Sequence, residues 1–167
     1  TRAGAINIAD RGLLLGDGLF ETFLVRDGVP AFLSAHLERM RAGAQALGFE
    51  ARVDEAEIAA IISDLAQRNG AASDMASARL TVTRGAGARG LVVEKGTLTP
   101  TLLMTLGAYA PPDISAPLKL IVSRHRRNEL SITARWKTLN YLDNILARVD
   151  AGENDADDAV MLNSAGR

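Results

Sequence analysis

The sequence predicts an α+β fold in two segments, and three observations carry that expectation. A strand-like alternation ends in a hairpin signal, two capped helical stripes follow it, and the chain then returns to short β-rich runs separated by glycine or proline. Leu19 to Arg26 alternates apolar and polar residues, Asp27-Gly28 is a two-residue turn signal, and Val29 to Phe32 supplies the returning strand. Ser34 is placed to cap a helix in which Leu37, Met40, Ala44 and Leu47 recur at helical spacing and which Gly48 stops. Asp54 with Glu57 three residues later reads as a capping box, opening a helix with the stripe Ile58, Ile61, Ile62 and Leu65 that ends at Gly70. Ala78 to Thr83, Thr101 to Leu106 and Leu118 to Val122 read as strands, Leu139 to Val149 as a helix, and Ala159 to Leu162 as another strand. The proline-bearing stretch from Pro111 to Pro117 divides the chain, giving a first domain over 1–112 and the start of a second over 113–167.

Composition narrows the chemistry. A chain of 167 residues with 47% hydrophobic and 23% charged content can bury a core. No apolar run reaches the roughly 18 residues that a bilayer span needs, and no charged-then-apolar leader opens the chain, so a cytoplasmic location and no membrane partner are the default expectations. Without cysteine there is no disulfide, thiolate metal site or cysteine nucleophile, and two histidines leave little for a metal centre, so no metal is expected. A net charge of -1 gives no field that would attract nucleic acid. Lys95, Lys119 and Lys137 are the only lysines among nineteen basic residues, so each draws scrutiny.

Three constellations could carry chemistry. Gly85-Ala86-Gly87-Ala88-Arg89-Gly90 matches the dinucleotide pattern G-x-G-x-x-G letter for letter. The context fails: Val92, Val93, Gly96 and Pro100 follow where a helix should begin, and no acidic residue lies near Met104 to Ala108 to hold a ribose. What remains is a flexible loop presenting Arg84 and Arg89 to an anion such as a carboxylate. The second constellation is Arg39 with His36 one turn earlier, off the Leu37–Met40 stripe, where a guanidinium could meet a phosphate or simply face water. In the third, Lys137 lies between Trp136 and the apolar stripe of the last helix. A shielded amine sheds its proton more readily and can attack an aldehyde, although the spacing equally permits a lysine that snorkels to solvent. Arg124-His125-Arg126-Arg127 reads as a solvated strand end.

Ala9 to Phe49, with ADRGLLLGDGLFETFLVRDGVPAFLSAHLERMRAGAQALGF, resembles the opening of the class IV aminotransferases, the fold-type IV pyridoxal 5'-phosphate enzymes. TRGAGARGL from Thr83 to Leu91 and KTLNYLDNILAR from Lys137 to Arg148 are similar to the same family in the same order. The family includes branched-chain and D-amino-acid aminotransferases and aminodeoxychorismate lyase. The resemblance implies a two-domain enzyme, commonly a homodimer with active sites near the subunit boundary, acting on small-molecule substrates, an amino acid and a 2-oxo acid. It implies that Lys137 carries the cofactor covalently and moves the substrate proton, that Arg39 binds the cofactor phosphate, and that Tyr141 approaches the ring oxygen, one residue closer to the lysine than in the branched-chain branch. Arg89 falls where D-amino-acid enzymes hold a substrate carboxylate, with Leu91 in place of their histidine. Phe20 stands where several relatives have a substrate-facing tyrosine.

The turn composition of Asn163-Ser164-Ala165-Gly166 leaves only Arg167 for a returning strand. The chain is therefore expected to be part of a longer product, with the family's pyridine-nitrogen glutamate and the rest of its phosphate cradle after Arg167. The expected function is amino transfer, with aminodeoxychorismate lyase as the alternative within the family. A non-catalytic remnant used for binding or dimerisation is the alternative outside it.

Overall fold

The computed structural model describes residues 5–71, 74–113 and 115–167. Its architecture is α+β, and the chain forms two compact units, Thr1–Ala110 and Pro111–Arg167. In the first unit, helix α1 (Arg11–Leu15) precedes strands β1 (Gly18–Arg26) and β2 (Val29–Pro30). Helices α2 (Leu33–Ala46) and α3 (Glu55–Arg68) follow, then strands β3 (Met75–Thr83) and β4 (Thr101–Ala108). The strands form one antiparallel sheet in the order β2-β1-β3-β4.

The hairpin forms where the sequence places it. Asp27 and Gly28 both adopt positive φ, 51° and 74°, which suits the twist of a two-residue hairpin turn. Its return strand is shorter than expected, because Phe32 turns to φ 54° and leads directly into α2. Ser34 is consequently not the cap. It lies inside the first helical turn, and its hydroxyl donates to the Glu55 carboxylate at 2.6 and 2.7 Å. The α3 capping residue is as read: the Asp54 carboxylate accepts from the Glu57 backbone N–H at 2.9 Å.

Because side chains alternate across a strand, Leu19, Glu21, Phe23 and Val25 of β1 share one face with Ala76, Ala78, Leu80 and Val82 of β3, and all are buried. The apolar faces of α2 and α3 cover that side through Leu37, Met40, Ile58 and Ile62. Each such fully buried side chain contributes roughly 1.5–3 kcal/mol. Phe20, Arg79 and Thr81 belong to the opposite face.

The second unit holds β5 (Leu120–Val122) and β6 (Asp158–Val160) as a parallel pair. Parallel strands need a crossover, which here carries α4 (Ile132–Arg135) and α5 (Leu142–Glu153). The face of α5 that is buried within the unit is not the expected one: Ala147, Asp150 and Ala151 are buried, whereas Leu142, Ile145 and Val149 are about half exposed. A polar hub turns the helix this way. Asp150 accepts from the Ser123 hydroxyl and the Arg124 backbone N–H, both at 2.9 Å, and drags its own face inward. The Arg124–Arg127 run leaves Arg124 and Arg126 exposed, as expected, but not unattached: Arg124 pairs with Glu153 and Arg127 donates to Asn144.

Helices α1 and α4 have no counterpart in the sequence reading. Leu13, Leu14 and Leu15 of α1 are exposed, so no apolar period marked them; the caps Asp10 and Ser131 were the available signal. Among the described residues no helix is long and apolar enough to cross a membrane.

Candidate functional site

In the first unit Glu21 is the focus of a charged cluster. It projects from the middle of an apolar row, with a side chain 1% exposed, and α2 brings two partners to it. Arg39 donates from Nε to Glu21 Oε1 at 2.7 Å and from Nη2 to Oε2, while His36 Nδ1 lies 2.7 Å from Oε2. A carboxylate can only accept, so Nδ1 carries the hydrogen in that contact. The His36 ring packs edge-on against Phe23, with centroids 5.0 Å apart. His36 and Arg39, one helical turn apart, are thus braced by one buried carboxylate, and the Arg39 side chain remains half exposed. The sequence marked His36 and Arg39 but not Glu21, whose signal was a charge inside an otherwise inward-facing apolar row.

The glycine-rich loop is braced rather than loose. Asp17 Oδ2 accepts from Arg11 Nε at 2.8 Å and Arg84 Nε at 2.7 Å. Arg11 also donates to the carbonyls of Gly90 and Leu91 at 2.8 and 3.0 Å, gripping the loop just past Arg89. Burial alone would raise the Asp17 carboxyl above its ordinary range, but the hydrogen bonds and charges of Arg84 and Arg11 outweigh it and hold the group below 3.8. Gly85 adopts φ +103°, and a Cβ there would drive into the Thr99 carbonyl.

This bracing corrects the expectation that the loop presents both arginines. Arg84 donates to Leu47 O and Gly48 O as well as to Asp17, and its guanidinium lies over the Phe49 ring, so it is a structural tie. Arg89 alone is exposed on the bend. Phe20 is 4% exposed, with the Arg79 guanidinium 3.6 Å from its ring centroid. It lies on the opposite face of the sheet from Glu21, so the first unit does not gather Phe20 and Arg39 on one face. A separate cavity of about 800 Å³ is lined by Arg41, Phe49, Val53, Arg84 and Leu98 among others; Arg84 borders it, whereas Phe20, Arg39, Arg89, Lys137 and Tyr141 do not.

In the second unit Lys137 and Tyr141 come together. Lys137 follows α4, and its Nζ lies 5.4 Å from the centroid of the Tyr141 ring, within cation–π range. Lys95 and Lys119 are exposed, whereas Lys137 is partly shielded beside the buried Thr138. The apolar stripe of α5 does not provide that shielding, since most of it faces outward. The Lys137 Nζ faces the Tyr141 ring instead.

Residues 18–167 match the family described as amino-transferase class IV. Over 157 residues the chain is 29% identical to aminodeoxychorismate lyase of Bacillus subtilis, a match spanning 94% of this chain and 53% of that protein. Over 167 residues it is 31% identical to D-alanine aminotransferase of Bacillus licheniformis, spanning 95% of this chain and 54% of that one. Among solved structures, 4-amino-4-deoxychorismate lyase from Pseudomonas aeruginosa superposes with a TM-score of 0.76 at 30% identity, covering 98% of this chain and 59% of that one. The chain thus spans about half the length of the curated relatives it matches.

Proposed function

The chain belongs to the class IV aminotransferase family, which is pyridoxal phosphate-dependent, and from that premise we propose that it contributes Lys137, Tyr141 and Arg39 to an enzyme transferring an amino group between an amino acid and a 2-oxo acid. The observation that carries this reading is the state of its lysines: Lys137 alone is partly shielded and held against an aromatic face. The donor set fits the cofactor. A primary amine suits an aldehyde, and a half-exposed guanidinium with its plane fixed by a carboxylate suits a phosphate.

When bound, the cofactor supplies an electron-withdrawing ring that stabilises the charge left at the substrate Cα. Lys137 Nζ would hold it and, once displaced by the substrate's amine, would be free to take the proton from Cα, with the Tyr141 ring facing that amine. Arg39 grips the phosphate with its forked donors. Arg89, exposed beside the carbonyls that Arg11 holds, binds the substrate carboxylate.

Aminodeoxychorismate lyase is the second reading, favoured by the likeness to proteins of that name, while Leu91 in place of a histidine speaks only against strict D-amino-acid specificity. Both start from the same lysine. The deciding test incubates the intact protein with pyridoxal phosphate, reduces it with borohydride and maps the labelled peptide, then compares amino transfer to 2-oxoglutarate with pyruvate release from aminodeoxychorismate. Label on Lys137 is expected, with none in Lys137→Ala, which keeps its fold. Label spread over Lys95 and Lys119 would overturn the assignment.

A further inference from the structure

We propose that Glu21 is a positioning residue for anion binding: buried in the sheet, it fixes the plane of the Arg39 guanidinium and thereby sets the protein's preference for the phosphate-bearing form of its cofactor. The inference rests on the reading of Arg39 as the phosphate ligand and adds to it a residue that would itself never touch the cofactor.

A carboxylate in this place is expensive. Its row neighbours Leu19, Phe23 and Val25 and its cross-strand partner Leu80 are apolar and buried, so an aliphatic side chain would fill the position without desolvating a charge. Burying an ion pair adds little net stability compared with such a replacement, whereas it can specify one geometry. The geometry here is specific. Both Glu21 oxygens are engaged along the Nε–Nη2 edge of Arg39, and Oε2 also holds His36, which Phe23 wedges from the side. Arg39 is half exposed, and this edge contact restrains the rotamers of a long side chain at the surface. A guanidinium fixed in one plane loses less freedom on meeting a phosphate than a mobile one, which raises affinity without a new contact to the ligand.

The experiment measures equilibrium affinity of the intact protein for pyridoxal 5'-phosphate and for pyridoxal, which lacks the phosphate, in wild type, Glu21→Gln, Arg39→Ala and the double variant. The readout is the ratio of the two affinities, because a general loosening of the fold weakens both ligands and leaves the ratio unchanged. Glu21→Gln keeps the volume but removes the charge and one acceptor, and is expected to lower the ratio about tenfold. In the Arg39→Ala background the same substitution is expected to change nothing further, since Glu21 acts through Arg39. If Arg39→Ala collapses the ratio and Glu21→Gln leaves it at the wild-type value, the positioning role is overturned while the phosphate reading stands. If Arg39→Ala itself leaves the ratio intact, the phosphate reading fails and the inference goes with it. Should Glu21→Gln not fold, Glu21→Asp retains the charge but is too short to span both donors. Its ratio is expected to fall, and a wild-type ratio there overturns the proposal.

Discussion

Asp17→Asn should destabilise the first unit and loosen the loop that carries Arg89. The side chain keeps its size, but the charge that joins two guanidiniums is gone. Asp17, Arg11 and Arg84 are shielded, with side chains 14%, 7% and 20% exposed. Breaking a shielded ion pair costs about 3–5 kcal/mol. Both arginines retain two carbonyl acceptors, Arg11 on Gly90 and Leu91 and Arg84 on Leu47 and Gly48, which places the loss at the lower end, about 3 kcal/mol. For a chain of this length each kcal/mol moves the melting midpoint by roughly 2–4 °C, so a drop of about 6–12 °C is expected by circular dichroism.

The pH dependence of that difference has a definite sign. Asp17 is depressed below its unfolded value of 3.8, so its contribution is complete above that value and is lost as pH falls through the lower folded one. The gap between wild type and Asp17→Asn should therefore close in acid, with other carboxylates cancelling in the comparison. Trypsin should also cut faster after Arg89 in the variant, because Arg11 grips the two carbonyls that follow. A midpoint drop under about 2 °C at neutral pH, or a gap that persists undiminished in strong acid, would refute the reasoning.

Two further substitutions test local geometry. Gly85→Ala combines a disfavoured φ with a collision against the Thr99 carbonyl, and denaturant titration should show a loss of about 2–4 kcal/mol; a neutral result would mean the loop is not packed as described. Asp54→Ala removes the α3 cap, and the same titration should show a loss of about 1 kcal/mol with binding unaffected, whereas Asp54→Ser should recover most of it.

The comparison of Glu21 with Asp54 shows why some features were legible and others not. Asp54 acts on a backbone N–H three residues away, so its role is written in local spacing. Glu21 meets His36 and Arg39 only because α2 folds back over β1, and nothing in the spacing from 21 to 39 announces it. Arg84 fails as a presented anion ligand for the same reason: its partners Asp17, Leu47 and Gly48 lie far off in sequence. The outward stripe of α5 is a subtler case, since helical period reveals that a face exists but not which neighbour claims it. In the second unit Ser123 and the Arg124 backbone claim the Asp150 face instead.

Local chemistry therefore determined the hairpin at Asp27-Gly28, the two long helices of the first unit, the α+β class and, through three ordered motifs, the family. These depend on hydrogen bonds and side-chain periods that close within a few residues. Tertiary structure alone decided which charges are shared: Glu21 with His36 and Arg39, Asp17 with Arg11 and Arg84, Asp150 with Ser123 and Arg124. A buried charge is tolerable only where partners converge on it, and convergence is a property of packed elements, not of neighbours along the chain.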